Sequence, residues 1–181
     1  MTLMADENLK TPICHESRLL IVGLGLIGGS LAAALRESGF KGQIAACDPD
    51  GNEIALGIEM GLIDTGGTHL YEQLRDASMV VLAVPVLAME SVMATLAEAL
   101  PYAARNVVLT DVGSTKATIR AYAEKVFGQV PTNMVLGHPI AGSEKSGVAA
   151  ANPRLYVDHK VILTPEPNVD HNALERVRLL W

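Results

Sequence analysis

Three glycines, two acids, two serines and one histidine are the residues of this 181-residue chain whose types and spacing could do chemistry. The glycines fall in Gly23-Leu24-Gly25-Leu26-Ile27-Gly28, and Asp48 follows about 20 residues after the last of them. At this spacing Gly23 permits a tight turn, Gly25 lets the backbone approach a pyrophosphate, and Gly28 lets a helix pack closely on a strand. Leu26 and Ile27 lie at the helix start, where free N–H groups and the helix dipole favour an anion. Asp48 stands where an acid hydrogen-bonds an adenosine ribose, and its charge favours NAD over NADP because a carboxylate repels a 2′-phosphate. Only Pro49 and Asp50 follow it, with no arginine to receive that phosphate. As local structure alone, Asp48 is equally a candidate helix N-cap.

Two further polar segments follow apolar runs. In Asp111-Val112-Gly113-Ser114-Thr115-Lys116 the upstream glycine and the Gly-Lys pair of a phosphate-binding P-loop are missing, so that function is excluded. Ser114 is then either a helix N-cap or a functional hydroxyl. In the segment from Gly137 to Gly147, His138 directly follows a buried strand, which points it toward the nicotinamide end of a cleft. Imidazole is the natural proton acceptor when an alcohol is oxidised; a histidine that merely bonds backbone is the alternative. His15, His69, His159 and His171 occupy poorer positions. No histidine pair has metal-ligand spacing, and no metal is expected.

These residues need strands and helices to carry them. Leu19 to Val22 reads as a strand, and the helix behind it, with Leu31, Ala34 and Leu35 on one face, breaks at Gly39. A second strand spans 43–47, a helix starts at Pro49-Asp50 and stops at Gly61, and a short strand near 62–64 precedes a helix near 69–75. The run from Met79 to Val84 reads as a strand buried on both faces. Helices follow over about 86–100, after Ser114 and over 169–181, with strands at 107–110, 134–136 and 160–163. Met89 and Met93 are read as core filler. Strands alternating with helices predict an α/β fold with a Rossmann-type, doubly wound, mostly parallel sheet. Ligands bind such sheets beyond the carboxyl ends of the strands. That singles out 23–28, 48–50, 84–86, 111–116 and 137–147, and sets Val84 and Pro85 beside the cofactor.

Composition excludes several classes. A hydrophobic share of 49% suffices for a core, and an aromatic share of only 4% means one built of aliphatic residues. The net charge of −6 argues against nucleic acid or an anionic membrane as partner. Cys14 and Cys47 show no metal or redox spacing and suggest a reducing compartment. The first 17 residues are polar and carry no apolar secretion core, and the longest apolar run, 79–89, is too short to span a bilayer. A cytoplasmic, soluble protein is expected.

Taken in order, GLGLIGGSLAAAL, DVGSTK and GHPIAGSEKSG resemble the prephenate/arogenate (cyclohexadienyl) dehydrogenases of tyrosine biosynthesis, over roughly residues 18–181. Many dehydrogenases share the first motif; the other two together are specific. The resemblance implies NAD-dependent oxidative decarboxylation of prephenate to 4-hydroxyphenylpyruvate, or of arogenate to tyrosine. It matches His138 to the catalytic histidine and Ser114 to the serine that hydrogen-bonds the same ring hydroxyl. Glu144 matches an acid at the mouth of the substrate site, with Ser143 beside it. In that family a helical domain follows and supplies dimer contacts and an arginine for the substrate carboxylate. Since this chain stops at Trp181, the resemblance reads 18–181 as the nucleotide-binding domain, 1–17 as a loose tail, the dimerisation domain as absent, and turnover by the chain alone as weak or nil. A β-hydroxyacid or imine-reducing dehydrogenase would share the glycine loop and Ala83-Val84-Pro85 but not usually GHPIAGSEKSG. A non-catalytic NAD-binding domain would keep the fold without the chemistry.

Overall fold

The computed structural model describes residues 16–181. In chain order the elements are β1 (Arg18–Val22), α1 (Leu26–Glu37), β2 (Gln43–Cys47), α2 (Gly51–Glu59), β3 (Thr65–Gly67), α3 (Leu70–Gln73) and β4 (Met79–Leu82). There follow α4 (Val86–Ala99), β5 (Val108–Asp111), α5 (Lys116–Phe127), β6 (Met134–Pro139), β7 (Val161–Thr164) and α6 (His171–Leu180). The seven strands form one sheet in the order β3-β2-β1-β4-β5-β6-β7. All pairs are parallel except β6 with β7. The direction of winding reverses between β1 and β4, the switch point where such sheets open a crevice.

Unbroken apolar runs make the central strands. Leu19, Leu20, Ile21 and all four residues of β4 have no exposed surface, because helices cover both faces of the sheet. Leu19 and Ile21 pack with α1, α2 and α6, while Leu20 and Val22 pack with α3, α4 and α5. Met89 and Met93 are fully buried in the second of these cores, the filler role their spacing predicts.

Three boundaries differ from the sequence reading, each for a physical reason. Leu62 and Ile63 are not strand residues; they are buried beneath α2, and the ladder to β2 is made by Thr65–Gly67. The helix expected over 69–75 is only Leu70–Gln73 and gives way to a turn at Asp76, whose φ of 58° no helix accepts. Strand β6 does not stop at Leu136 but runs on through His138 and Pro139, because β7 returns antiparallel and pairs His138 with Ile162. Proline is tolerated there because it stands opposite Val161, next to the position where Ile140 N–H bonds Lys160, so its nitrogen points away from β7, on the side where the ladder to β5 has already ended at Val135.

At the amino ends of the central strands, Arg176 of α6 ties together the segments that lead into β1, β4 and β5. Its Nε and Nη2 each donate to the Glu16 carboxylate at 2.6 Å, and its guanidinium also reaches the carbonyls of Asn106 (2.7 Å) and Ser78 (2.6 Å). Ser17 accepts from the N–H of Gln43 at 3.0 Å. Glu16 and Ser17, counted with the tail in the sequence reading, thus make packed contacts ahead of Arg18; residues 1–15 lie outside the described residues.

Burial alone would raise the Glu16 carboxyl, but its bonds to Arg176 and Ser78 outweigh that and hold it below the ordinary glutamate value. A depressed carboxyl stabilises the fold above its unfolded-state pKa, about 4.3, and that contribution fades as pH falls through the lower folded value. Arg176→Met should therefore cost most near neutral pH, with the gap to the parent, read from urea midpoints, shrinking on acidification. A gap that widened toward low pH would contradict the pairing.

Candidate active site

Strand β1 ends in the glycine loop, which is shaped by what cannot fit. Gly23 has φ of 96°, and a Cβ there would lie 2.5 Å from the Ala83 carbonyl oxygen. A Cβ on Gly28 would lie 2.0 Å from the carbonyl oxygen of Gly23 and 2.9 Å from Ile21 Cγ2. These approaches bring α1 hard against the sheet. Around Gly25, by contrast, nothing lies within 4 Å of a Cβ position, so the turn faces open space. Gly25 is also the N-cap of α1; no side chain caps the helix and no acid occupies its first turn. The N–H groups at the start of α1 are therefore free for an anion. Leu26 is buried, and the Ile27 carbonyl accepts a hydrogen bond from the Tyr156 hydroxyl at 2.6 Å.

Asp48, half-buried at the end of β2, clamps this loop. One carboxylate oxygen accepts from Leu24 N–H at 2.8 Å and the other from Asp50 N–H at 2.9 Å. The N-cap of α2 is Asp50, which accepts from Asn52 N–H at 2.9 Å, so the capping alternative for Asp48 falls to its neighbour. A carboxylate offers about four lone-pair positions, which leaves Asp48 capacity for a ligand hydroxyl. Beside it, between the ends of β2 and β4, opens a cavity of about 450 Å³ lined by Cys47, Pro49, His69, Val84 and Val92 among others. Burial, with the Asp48 charge second, pushes the Cys47 thiol up to about 11, so it lines this cavity as a neutral group. Pro85 caps α4 at the exposed rim.

At the other side of the switch point stands a second clamp. Asp111 ends β5 with no exposed surface. Its Oδ2 accepts from Gly113 N–H at 2.8 Å and pairs with the Lys116 ammonium, and its Oδ1 accepts from Gly137 N–H at 3.2 Å. Lys116 Nζ also donates to the Gly137 carbonyl at 2.5 Å. Burial lifts the Asp111 carboxyl above its ordinary range and pulls the Lys116 amine below its own, against their mutual attraction. The pair thus grips both backbone groups of Gly137, the residue before His138. Through Gly113 N–H and Gly137 N–H, the Asp111 carboxylate is bonded to the residues that precede both Ser114 and His138. His138 is half-buried and Ser114 exposed; the N-cap of α5 is Thr115, not Ser114. Ser143 and Glu144 are exposed on the connection after β6.

Comparison with known proteins places this arrangement. Residues 31–181 match the family described as prephenate dehydrogenase, nucleotide-binding domain. The chain belongs to that family. It is 36% identical over 166 residues to prephenate dehydrogenase of Bacillus subtilis, covering 91% of this chain and 44% of the relative. The crystal structure of prephenate dehydrogenase from Aquifex aeolicus with hydroxyphenyl propionate and NAD+ superposes with a TM-score of 0.81 at 35% identity, over 91% of this chain and 56% of that one. Synechocystis arogenate dehydrogenase gives 0.77 at 29% identity, over 90% and 55%. The chain thus spans about half the length of these relatives. No helix among the described residues is long and apolar enough to cross a membrane, and no group of three His, Cys, Asp or Glu among them could hold a metal ion.

Sequence reasoning had singled out the segment 111–116 for Ser114 and missed the Asp111–Lys116 clamp. The available signal was an acid closing a buried strand with a lysine five residues on. It also sets His69 aside; the packing of α3 against β2, β3 and α4 brings that residue to the cavity, and no local pattern announces it.

Lys116→Met should leave Asp111 buried without its partner and destabilise the fold by about 3–5 kcal/mol. The double variant Asp111→Asn/Lys116→Met should recover most of that loss in urea titrations. A single variant within about 1 kcal/mol of the parent would show that no buried pair operates here.

Proposed function

We propose that this chain is the nucleotide-binding part, residues 18–181, of an NAD-dependent dehydrogenase that oxidatively decarboxylates prephenate to 4-hydroxyphenylpyruvate, or arogenate to tyrosine. What carries the reading is that free helix-start amides, the Asp48 carboxylate, Ser114 and His138 all lie at the carboxyl ends of the strands. The open turn at Gly25 and the uncapped N–H groups of α1 fit a pyrophosphate. The loop from Gly23 to Gly28 cradles it, Asp48 takes the adenosine ribose, and Val84 and Pro85 flank the base and ribose side. NAD, when bound, would supply the acceptor for the hydride on the ring carbon that bears the hydroxyl.

His138 accepts the hydroxyl proton as that hydride leaves, and Ser114 hydrogen-bonds the same oxygen and orients it. Loss of carbon dioxide then returns an electron pair to the ring, which becomes aromatic, and the phenolate oxygen recovers the proton from His138. Since aromatisation drives the second half, the residues here have two tasks: hold donor and acceptor in line and move one proton. Ser143 and Glu144, on the loop beyond His138, face the mouth through which the substrate enters. Turnover by the 181-residue chain is expected to be weak, because the relatives that bear the enzyme's name are about twice as long.

Two measurements test the reading. NADP should bind more weakly than NAD by about tenfold or more, the cost of setting a phosphate against the Asp48 carboxylate; tighter NADP binding would contradict that assignment. His138→Asn should lower prephenate-dependent NADH formation by about 10²–10⁴-fold while NAD affinity, read by calorimetry, stays unchanged. Activity retained in that variant would remove the histidine from its role.

A further inference from the structure

The chain between β6 and β7 does not take the short way. It leaves His138 at the carboxyl end of β6, crosses that edge of the sheet to the first turn of α2, and returns along the first turns of α1. Three hydrogen bonds and one packed contact fix its far half. The N–H of Val148 donates to the Glu53 carboxylate on α2. The N–H of Asn152 donates to the Ser30 hydroxyl at 2.9 Å, and the Tyr156 hydroxyl donates to the Ile27 carbonyl at 2.6 Å. Val148 is fully buried, and a Cβ on Gly29 would lie 3.1 Å from its Cγ2.

Between His138 and these anchors, residues 142–146 are all exposed. The anchor nearest to them is Glu53. Gly147, with φ of 78°, rests directly on it: a Cβ there would lie 3.0 Å from Glu53 Oε1. Glu53 belongs to the same first turn of α2 that Asp50 caps, and Asp50 is tied by its N–H to Asp48. One short stretch, 48–53, therefore holds the glycine loop with its first residue and the loop of Ser143 and Glu144 with its last.

We propose that Glu53 is a positioning residue that couples the two ends of the cleft, so that seating a nucleotide on Asp48 tightens the loop carrying Ser143 and Glu144. The inference rests on the functional reading above for what the cleft holds, but the latch itself rests on Glu53, Gly147 and Val148 alone. The negative charge of Glu53 is satisfied by a backbone N–H of the loop rather than by a basic side chain of its own helix. Removing it releases the segment ahead of Val148, while the packing of Val148 on Gly29 and the bonds to Ser30 and Ile27 hold the rest of the connection.

Trypsin cleavage after Lys145, followed by mass on the full chain with and without saturating NAD, reads the latch. In the parent the bond should be cut slowly, and more slowly still with NAD. Glu53→Ala should be cut about tenfold faster, the opening expected from losing one charge-assisted hydrogen bond, and NAD should no longer slow it. Glu53→Gln keeps a carbonyl for the Val148 N–H and should restore most of the protection, which a role confined to global stability would not. If Glu53→Ala fails to fold by circular dichroism, Gly147→Ala, which crowds the same carboxylate, should give the same faster cleavage. Cleavage at the parent rate in these variants, or NAD protection undiminished in Glu53→Ala, would overturn the proposal. Should the parent bind no NAD, the functional reading and the coupling fall together, while the ligand-free rates still decide whether Glu53 fixes the loop.

Discussion

The carbonyl oxygen of Gly23 occupies the place a Cβ on Gly28 would need, 2.0 Å away. That contact sets the distance between β1 and α1, and much else follows from it. With the helix drawn so close, its first turn is presented edge-on to the crevice at the switch point, uncapped and facing open space at Gly25. A side chain at Gly28 would push α1 away from Ile21 and carry the free N–H groups out of register with Asp48. The anion cradle is thus a by-product of packing: the residues that create it are those with nothing to clash.

Two buried or half-buried acids then do parallel work on either side of that contact. Asp48 ties the end of β2 to the glycine loop, and Asp111 ties the end of β5 to the end of β6 through Gly137. Each uses a carboxylate to fix backbone N–H groups that the sheet itself leaves unpaired where strands stop. The difference lies in the surroundings. Asp48 keeps one side toward solvent and so keeps capacity for a ligand, whereas Asp111 is sealed and balanced by Lys116. On the proposed function, one clamp reads what binds, and the other fixes the residues that precede Ser114 and His138.

Most of the architecture was legible in the residues. Runs such as Leu19–Val22 and Met79–Leu82, with no polar break, could only be strands covered on both faces, and the glycine spacing located the crevice. What escaped was non-local. Leu62 and Ile63 look like strand residues but are drawn under α2, while the ladder falls to Thr65–Gly67, which carries little apolar signal. Nothing within 137–140 says that β7, more than 20 residues later, will extend β6 past His138. Ser114 and His138 drew attention by type and place, but the pair that positions them joins a strand end to a helix start across a turn. Lys116 opens α5, and no local pattern says that its ammonium reaches Gly137. The match to the prephenate dehydrogenase family over 31–181 agrees with the motifs that suggested it.

On the proposed function, a dinucleotide lies along the carboxyl ends of the strands, from Asp48 across the glycine loop to His138. Backbone amide shifts in the nuclear magnetic resonance spectrum, recorded while NAD is added to the 181-residue chain, test it directly. The largest changes should fall at Gly23 to Gly28, at Asp48 and Asp50, at Val84 and around His138. Changes confined to the amino ends of the strands, around Ser78, Asn106, Asn133 and Arg176, would contradict it.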